Sequence, residues 1–381
     1  MNPIVVWLVK NVLPWLAWAV SLLIPGRKSR LALLEARNKA LIMSLVNDVE
    51  AVLPPKGTYR PLGELVDEAY GMGTFPALWA VEGLGNYYAE TFRERKLPMT
   101  GLLTDPELND LPSRSMTMLH AGIGMSFAKR SLEGLKPTSP PDQLKSALAR
   151  FVDLCRSSSR SGFLGAAYES LGLVTLILHT PAMARELDKH LEQLAPEVAH
   201  YMWRGAGRAL YFHPRNFVPG FRSPWRGIGM CREFAPHEMA FRNLRAGIAW
   251  ATTVVNMRNP EIMESVLLHQ GPDDPDREYF IDGVVSAMIM RYDTSPDDPY
   301  IAKFIDHQPD PSVPGLAELW DRDIRKPCIT ALKVAYPVLA EQKRLEDVFH
   351  YKSLPHLLNR VSRGIFLKPE TFRRLQRGQK P

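Results

Sequence analysis

Six times along this chain a charged residue or a histidine leads a run of small residues set two apart, each time where apolar residues recur at helical spacing. The copies are Glu82-Gly-Leu-Gly85, His120-Ala-Gly-Ile-Gly124, Arg204-Gly-Ala-Gly207, Arg226-Gly-Ile-Gly229, Arg245-Ala-Gly-Ile-Ala249 and Asp282-Gly-Val-Val285. Gly165-Ala-Ala-Tyr-Glu169-Ser-Leu-Gly172 is a looser seventh. Gly83, Gly122, Gly165, Gly205, Gly247 and Gly283 stand 39, 43, 40, 42 and 36 residues apart, and a period near 40 is the length of a two-helix repeat. Glycine inside a helix costs about 1 kcal/mol relative to alanine. Its repeated use therefore implies a close approach, either of helix to helix or of a ligand to backbone. About six such units predict an α/α solenoid or toroid with one helix of each pair lining an internal cavity.

The rest of the chain agrees with an all-α fold, because no run shows sustained alternation with hairpin turns. Helices are expected over residues 30–52, 75–96, 113–135, 142–157, 163–178, 182–210, 237–257, 260–269, 276–292, 315–337 and 339–350. Proline, glycine and aspartate clusters separate them, most clearly at Thr294-Ser-Pro-Asp-Asp-Pro and Gln308-Pro-Asp-Pro-Ser-Val-Pro-Gly315. The chain has 381 residues, 45% of them hydrophobic, which is enough to bury a large core.

Charge is unevenly placed. The net value is 47 − 41 = +6. Eight arginines and two acids lie between Arg204 and Arg245, and seven basic residues and one acid lie between Arg360 and Lys380. Residues 264–310 hold eleven acids against three bases. Such a split favours intramolecular pairing or an anion site over a general nucleic-acid surface, so no nucleic-acid partner is expected. Cys155, Cys231 and Cys328 are distant from one another and lack zinc-ligand spacing, so no metal is expected. Cys155-Arg-Ser-Ser-Ser-Arg160 approaches the loop with which cysteine phosphatases hold phosphate, but the arginine arrives one residue early, and the segment reads as a polar turn.

Residues 3–24 are apolar except for Lys10, Asn11 and Ser21, and Arg27, Lys28 and Arg30 follow. As a helix they would rise about 33 Å against a hydrocarbon core of roughly 30 Å. Lys10, Asn11 and Pro14 interrupt the run, which leaves open a spanning helix, an interfacial helix rich in tryptophan, and a helix docked on the body. The expected division is an anchor over 1–30, a helical repeat domain over 31–350 and a basic tail over 351–381. The basic cluster behind the anchor predicts a body on the cytoplasmic face of the inner membrane, with the membrane, and a membrane enzyme, as partners.

The GxG-bearing helices around Glu82, His120 and Glu169, together with Gly207-Arg-Ala-Leu-Tyr-Phe212 and Trp225-Arg-Gly-Ile-Gly229, give the chain a resemblance over roughly residues 60–340. It resembles a bacterial family of unknown function encoded beside enediyne polyketide synthases and in other natural-product clusters. The resemblance implies a role in making or carrying a lipophilic polyene or isoprenoid, and transfers no catalytic residue.

If the polar members of the repeat face one cavity, it holds Glu82, His120, Glu169 and Asp282 as proton donors or acceptors. Arg204, Arg226 and Arg245 would bind an anionic head group, with Trp79, Tyr168 and Trp203 beside them as aromatic walls. Such a site would protonate or cyclise a long unsaturated chain without a cofactor. The same residues could instead pair as buried bridges between repeats, or the chain could be a carrier for a lipophilic intermediate. Asp273-Asp-Pro-Asp276, Asp297-Asp298-Pro, Asp321-Arg-Asp323 and Asn109-Asp110-Leu-Pro-Ser113 each miss the acidic motifs of terpene synthases, so an ordinary terpene synthase is not expected.

Overall fold

The computed structural model describes residues 12, 26–48, 52–54, 58–217, 226–352 and 356–357. Residues 3–24 lie outside these apart from Val12, as does nearly all of the basic tail. Every regular element among the described residues is helical, and three 3-10 turns and the four-residue helix Pro214–Phe217 accompany the longer helices. In chain order they are α1 (Arg27–Asp48), α2 (Leu62–Gly71), α3 (Thr74–Glu94), α4 (Met116–Ser131), α5 (Pro141–Ser158), α6 (Leu164–Leu178), α7 (Pro181–Leu194), α8 (Pro196–Tyr211), α9 (Arg226–Phe234), α10 (Glu238–Asn256), α11 (Glu261–Gln270), α12 (Arg277–Thr294) and α13 (Pro299–Ile305). The last, α14, is a continuous rod of α segments (Leu316–Trp320, Lys326–Thr330, Tyr336–Glu341) joined by π turns (Asp321–Arg325, Ala331–Ala335). None of the described helices is long and apolar enough to cross a membrane.

Proline explains two departures from the expected elements. The helix expected over 182–210 is broken at Ala195, whose φ is −159°, because Pro196 opens α8 at a position where a missing N–H costs nothing. In α14 the opposite occurs. Pro327 and Pro337 each follow a π turn, and the wider turn clears the proline ring from the carbonyl it would otherwise strike. The rod therefore takes the place of the helix expected over 315–337 and runs on to Glu341, and of the helix expected over 339–350 the rest is the short turn Leu345–Phe349. The short helices α2, α9 and α13 were not expected.

Helices α3, α4, α6, α8, α10 and α12 pack side by side in that order. The glycine motif explains how. Two residues along a helix turn about 200°, so small residues at that spacing lie on opposite flanks and admit a neighbour on each side. A Cβ on Gly122 would enter the Glu82 carbonyl of α3, and one on Gly124 the Ala167 carbonyl of α6. On α8, Gly205 meets Glu169 of α6 and Gly207 meets Leu244 of α10. Gly283 of α12 rests on Ala246 of α10. The close approach is thus of helix to helix. Arg226-Gly-Ile-Gly229 does not belong to this row, for it lies on α9, where a Cβ on Gly229 would meet nothing within 4 Å.

The end helices of the row also meet. Arg291 of α12 donates from Nη1 to the Thr74 carbonyl of α3 at 3.3 Å, and Thr117 of α4 donates to Asp293 of α12 at 3.1 Å. Helix α1 crosses the row on the side of α3 and α10 and is clamped at its first residue, where Arg27 pairs with Glu264 and Asp310.

Candidate functional site

Four of the polar residues of the glycine motifs join one buried chain of charge. Glu82 of α3 accepts from Arg208 Nη2 at 3.2 Å, and Arg208 Nη1 donates to Glu169 of α6 at 2.7 Å. Arg204 lies one turn before Arg208 on α8. Its Nε stands 3.7 Å from Glu169 Oε1, its Nη1 donates to Asp282 of α12 at 3.4 Å, and its Nη2 donates to Ser286. The Arg208 guanidinium also lies 4.3 Å from the Trp250 ring centroid. All five charged side chains are buried. Three carboxylates against two guanidinium groups leave one excess negative charge, which burial disfavours. Burial raises Glu82 above the usual carboxylate range, and it pushes Asp282 up to about 7 against the opposing pull of Arg204.

At one end of this chain Asp282 meets the segment that follows α14. Its Oδ1 accepts from the backbone N–H of Lys352 at 3.3 Å, and Lys352 lines a hollow of about 560 Å³. The segment Leu345–Phe349 and the residues after it fold back over α6 and α12 to close one wall. Tyr201 packs at 4.7 Å against His350 and at 5.8 Å against Tyr168, and His200 lies 5.8 Å from His350. Arg156 donates from Nε to the Tyr168 hydroxyl at 3.1 Å and from Nη2 to Glu197 at 2.9 Å. Glu346 caps α6, accepting from Leu164 N at 3.1 Å, and Lys352 Nζ pairs with Asp347 at 2.6 Å. Burial lowers the His200 imidazole, favouring its neutral form, and raises the Tyr168 and Tyr201 phenols and the Glu346 carboxyl. A neutral imidazole and an acid titrating near 7 beside a hollow of this size are components of general acid–base chemistry.

Four of the expected site residues therefore converge in the buried chain of charge (Glu82, Glu169, Arg204 and Asp282), and Tyr168 lines the hollow, which none of the four does. His120 does not. Its Nδ1 faces the Met116 carbonyl at 2.6 Å, and its Nε2 accepts from the Arg160 backbone N–H at 2.9 Å. Burial lowers it to about 4, so it is a neutral brace between α4 and the turn before α6. Arg226 is exposed and donates to the Arg215 carbonyl at 2.9 Å. Arg245 points away from the chain of charge, pairing with Asp274 and, at 3.7 Å, with Asp276. Trp203 donates to Asp188 at 2.6 Å, and Trp79 lies one turn before Glu82, edge-on to Phe75 at 6.4 Å.

Arg208, His200, Tyr201 and Lys352 escaped the sequence reading. Arg208 was within reach, four residues after Arg204 and so on the same face. Lys352 falls in the stretch assigned to the tail.

Asp188, Glu192 and His237 bring three ligand atoms within 4.8 Å of one another. His237 argues against a cation there. Its Nδ1 accepts from Ala240 N at 3.2 Å as a helix cap, so the neutral ring carries its proton on Nε2, directed at Asp188 2.7 Å away.

No protein-family model matches the chain, and no curated protein or solved structure is similar to it.

Proposed function

We propose that the hollow beside Lys352 is the acid–base site of a biosynthetic enzyme, and that Asp282 gives a proton to an unsaturated lipophilic substrate. The supporting observation is the position of Asp282. It titrates near neutrality, pairs with Arg204, and is joined to the hollow through the backbone N–H of Lys352, a residue of the hollow's wall. A neutral carboxylic acid at physiological pH can donate a proton that an ordinary aspartate has already lost. Tyr168, Tyr201 and Tyr351 suit the unsaturated part of the molecule, and Lys352 and Arg156 of the same wall are paired with Asp347 and Glu197. Arg204 and Glu169 act behind the hollow as positioning residues.

The wider expectations fit this reading. The six row helices serve as the inner members of about six two-helix repeats closed into a toroid, a reading supported by the contacts between α12 and α3. The apolar run at 3–24 holds the protein at the cytoplasmic face of the inner membrane, where a lipophilic substrate and a membrane enzyme partner are at hand. The role in a natural-product cluster rests on the sequence resemblance.

A second reading rests on the reciprocal pairing of all five buried charges, which by itself explains Glu82 and Glu169 as bridges between helices. Under that reading the protein carries its ligand unchanged. Three amide variants, Asp282→Asn, Glu82→Gln and Glu169→Gln, separate the two. Product formation in the producing cell is expected to fall 10²- to 10⁴-fold, the order of a general acid's contribution, in Asp282→Asn while the folded variant keeps its ligand. Normal product from all three variants leaves the carrier reading in place.

A further inference from the structure

A second hollow, of about 550 Å³, lies across the seam where residues 162–165 meet residues 343–346. Its wall contains the polar turn noted in the sequence, Ser159-Arg160-Ser161, with Thr104, Asn109 and Lys343 opposite, and no carboxylate lines it. Arg160 distinguishes this place from the rest of the molecule. Its Nε and Nη2 donate to the carbonyls of Leu103 at 2.6 Å and Leu108 at 2.7 Å. Those partners are neutral, and no acid stands within ion-pair distance of it among the described residues, so the guanidinium keeps its full charge while its orientation is fixed. Ser159 Oγ is buried and has no hydrogen-bond partner.

The backbone at the seam is tightly fixed. Gly162 has φ +91° and Lys343 has φ +53°, and a Cβ on Gly162 would stand 2.6 Å from the Lys343 carbonyl. Lys343 is the left-handed residue that ends α14, where the Arg344 N–H closes the turn on the Leu339 carbonyl at 2.8 Å, so the helix end and the Gly162 turn are held together at the rim of the hollow.

We propose that this hollow binds the phosphate group of a phosphate monoester or diphosphate, through the Arg160 guanidinium, Lys343 and the hydroxyls of Ser159 and Ser161. A planar guanidinium with preset orientation and free donors matches phosphate oxygens, and surrounding hydroxyls complete their hydrogen bonds. The site binds and does not cleave. Cys155, where a cysteine phosphatase would carry its nucleophile, is buried in α5, and burial raises its thiol far from the reactive thiolate.

Calorimetric titration of the full chain with inorganic phosphate and with pyrophosphate tests the proposal, together with flotation on phosphatidylcholine vesicles with and without phosphatidic acid. Arg160→Gln also removes two loop contacts, so Lys343→Asn and Ser161→Ala accompany it. Asparagine tolerates the left-handed turn, and Ser161 is exposed. Saturable pyrophosphate binding is expected, weakened about tenfold or more in Lys343→Asn at unchanged circular dichroism. Binding in solution without preference for phosphatidic acid identifies a soluble phosphate ester, and a Lys343-dependent preference for phosphatidic acid identifies a lipid headgroup. The proposal fails if neither anion binds and vesicles show no such preference, or if Lys343→Asn and Ser161→Ala leave every affinity unchanged.

Discussion

At Asp282 packing sets how a single residue titrates. Burial raises its pKa from 3.8 to about 7, so between those values the folded protein keeps a proton that the unfolded chain has released. The native state then binds more protons, and stability falls as pH rises. The favourable contribution of this group is complete below about pH 4 and lost as pH passes about 7, a change on the order of a few kcal/mol. Denaturant titrations of wild type and Asp282→Asn across that window should show a difference that slopes downward with pH, since asparagine cannot titrate. A flat difference would mean an ordinary aspartate. His120 runs in the other direction. Its lowered pKa means that stability present above pH 6.5 is lost as pH falls toward about 4. The partner that holds His120 is a backbone N–H forty residues away, and no spacing rule points to it. Glu82, Glu169, Arg204 and Asp282 were legible because each accompanies a glycine motif on a helix of the row, but the same motif also marked Arg226, which is exposed, and Arg245, which pairs elsewhere.

At the level of elements, the glycine motifs describe a row of helices in near backbone contact. Gly205→Ala and Gly207→Ala would each drive a methyl into a neighbouring carbonyl. Each is expected to cost at least about 1–3 kcal/mol, the usual penalty of overpacking. Gly229→Ala is the control, for the same change on α9 meets open space and gains up to about 1 kcal/mol from helix propensity. Thermal melts of the three variants would show it, and equal destabilisation would contradict the packing described. The helices of the row carry the glycines singled out in the sequence, and their order comes from the contacts between them. The breaks were harder. Nothing local says that Pro196 ends a helix while Pro327 and Pro337 sit inside one, because the outcome depends on π turns that tertiary packing sustains.

At the level of the whole molecule, the hollow beside Lys352 exists only because the chain after α14 returns to α6 and α12. A contact between residues 70 apart, such as Lys352 with Asp282, leaves no periodic trace, and this is why the segment read as the start of a tail. The other end of the chain makes a separate prediction. Removing residues 1–25 spares Arg27 and its clamp on Glu264 and Asp310, so the truncated protein should fold and leave the membrane fraction. If it still sediments with membranes, the attachment lies elsewhere, and the basic tail is the next segment to remove. The central claim is that Asp282 passes a solvent-derived proton to the bound molecule. Mass spectrometry of the ligand released after incubation in deuterated buffer tests it most directly. Ligand from the wild-type protein should carry solvent deuterium at carbon, and ligand from Asp282→Asn should not. Equal labelling of the two, or none in either, would contradict it.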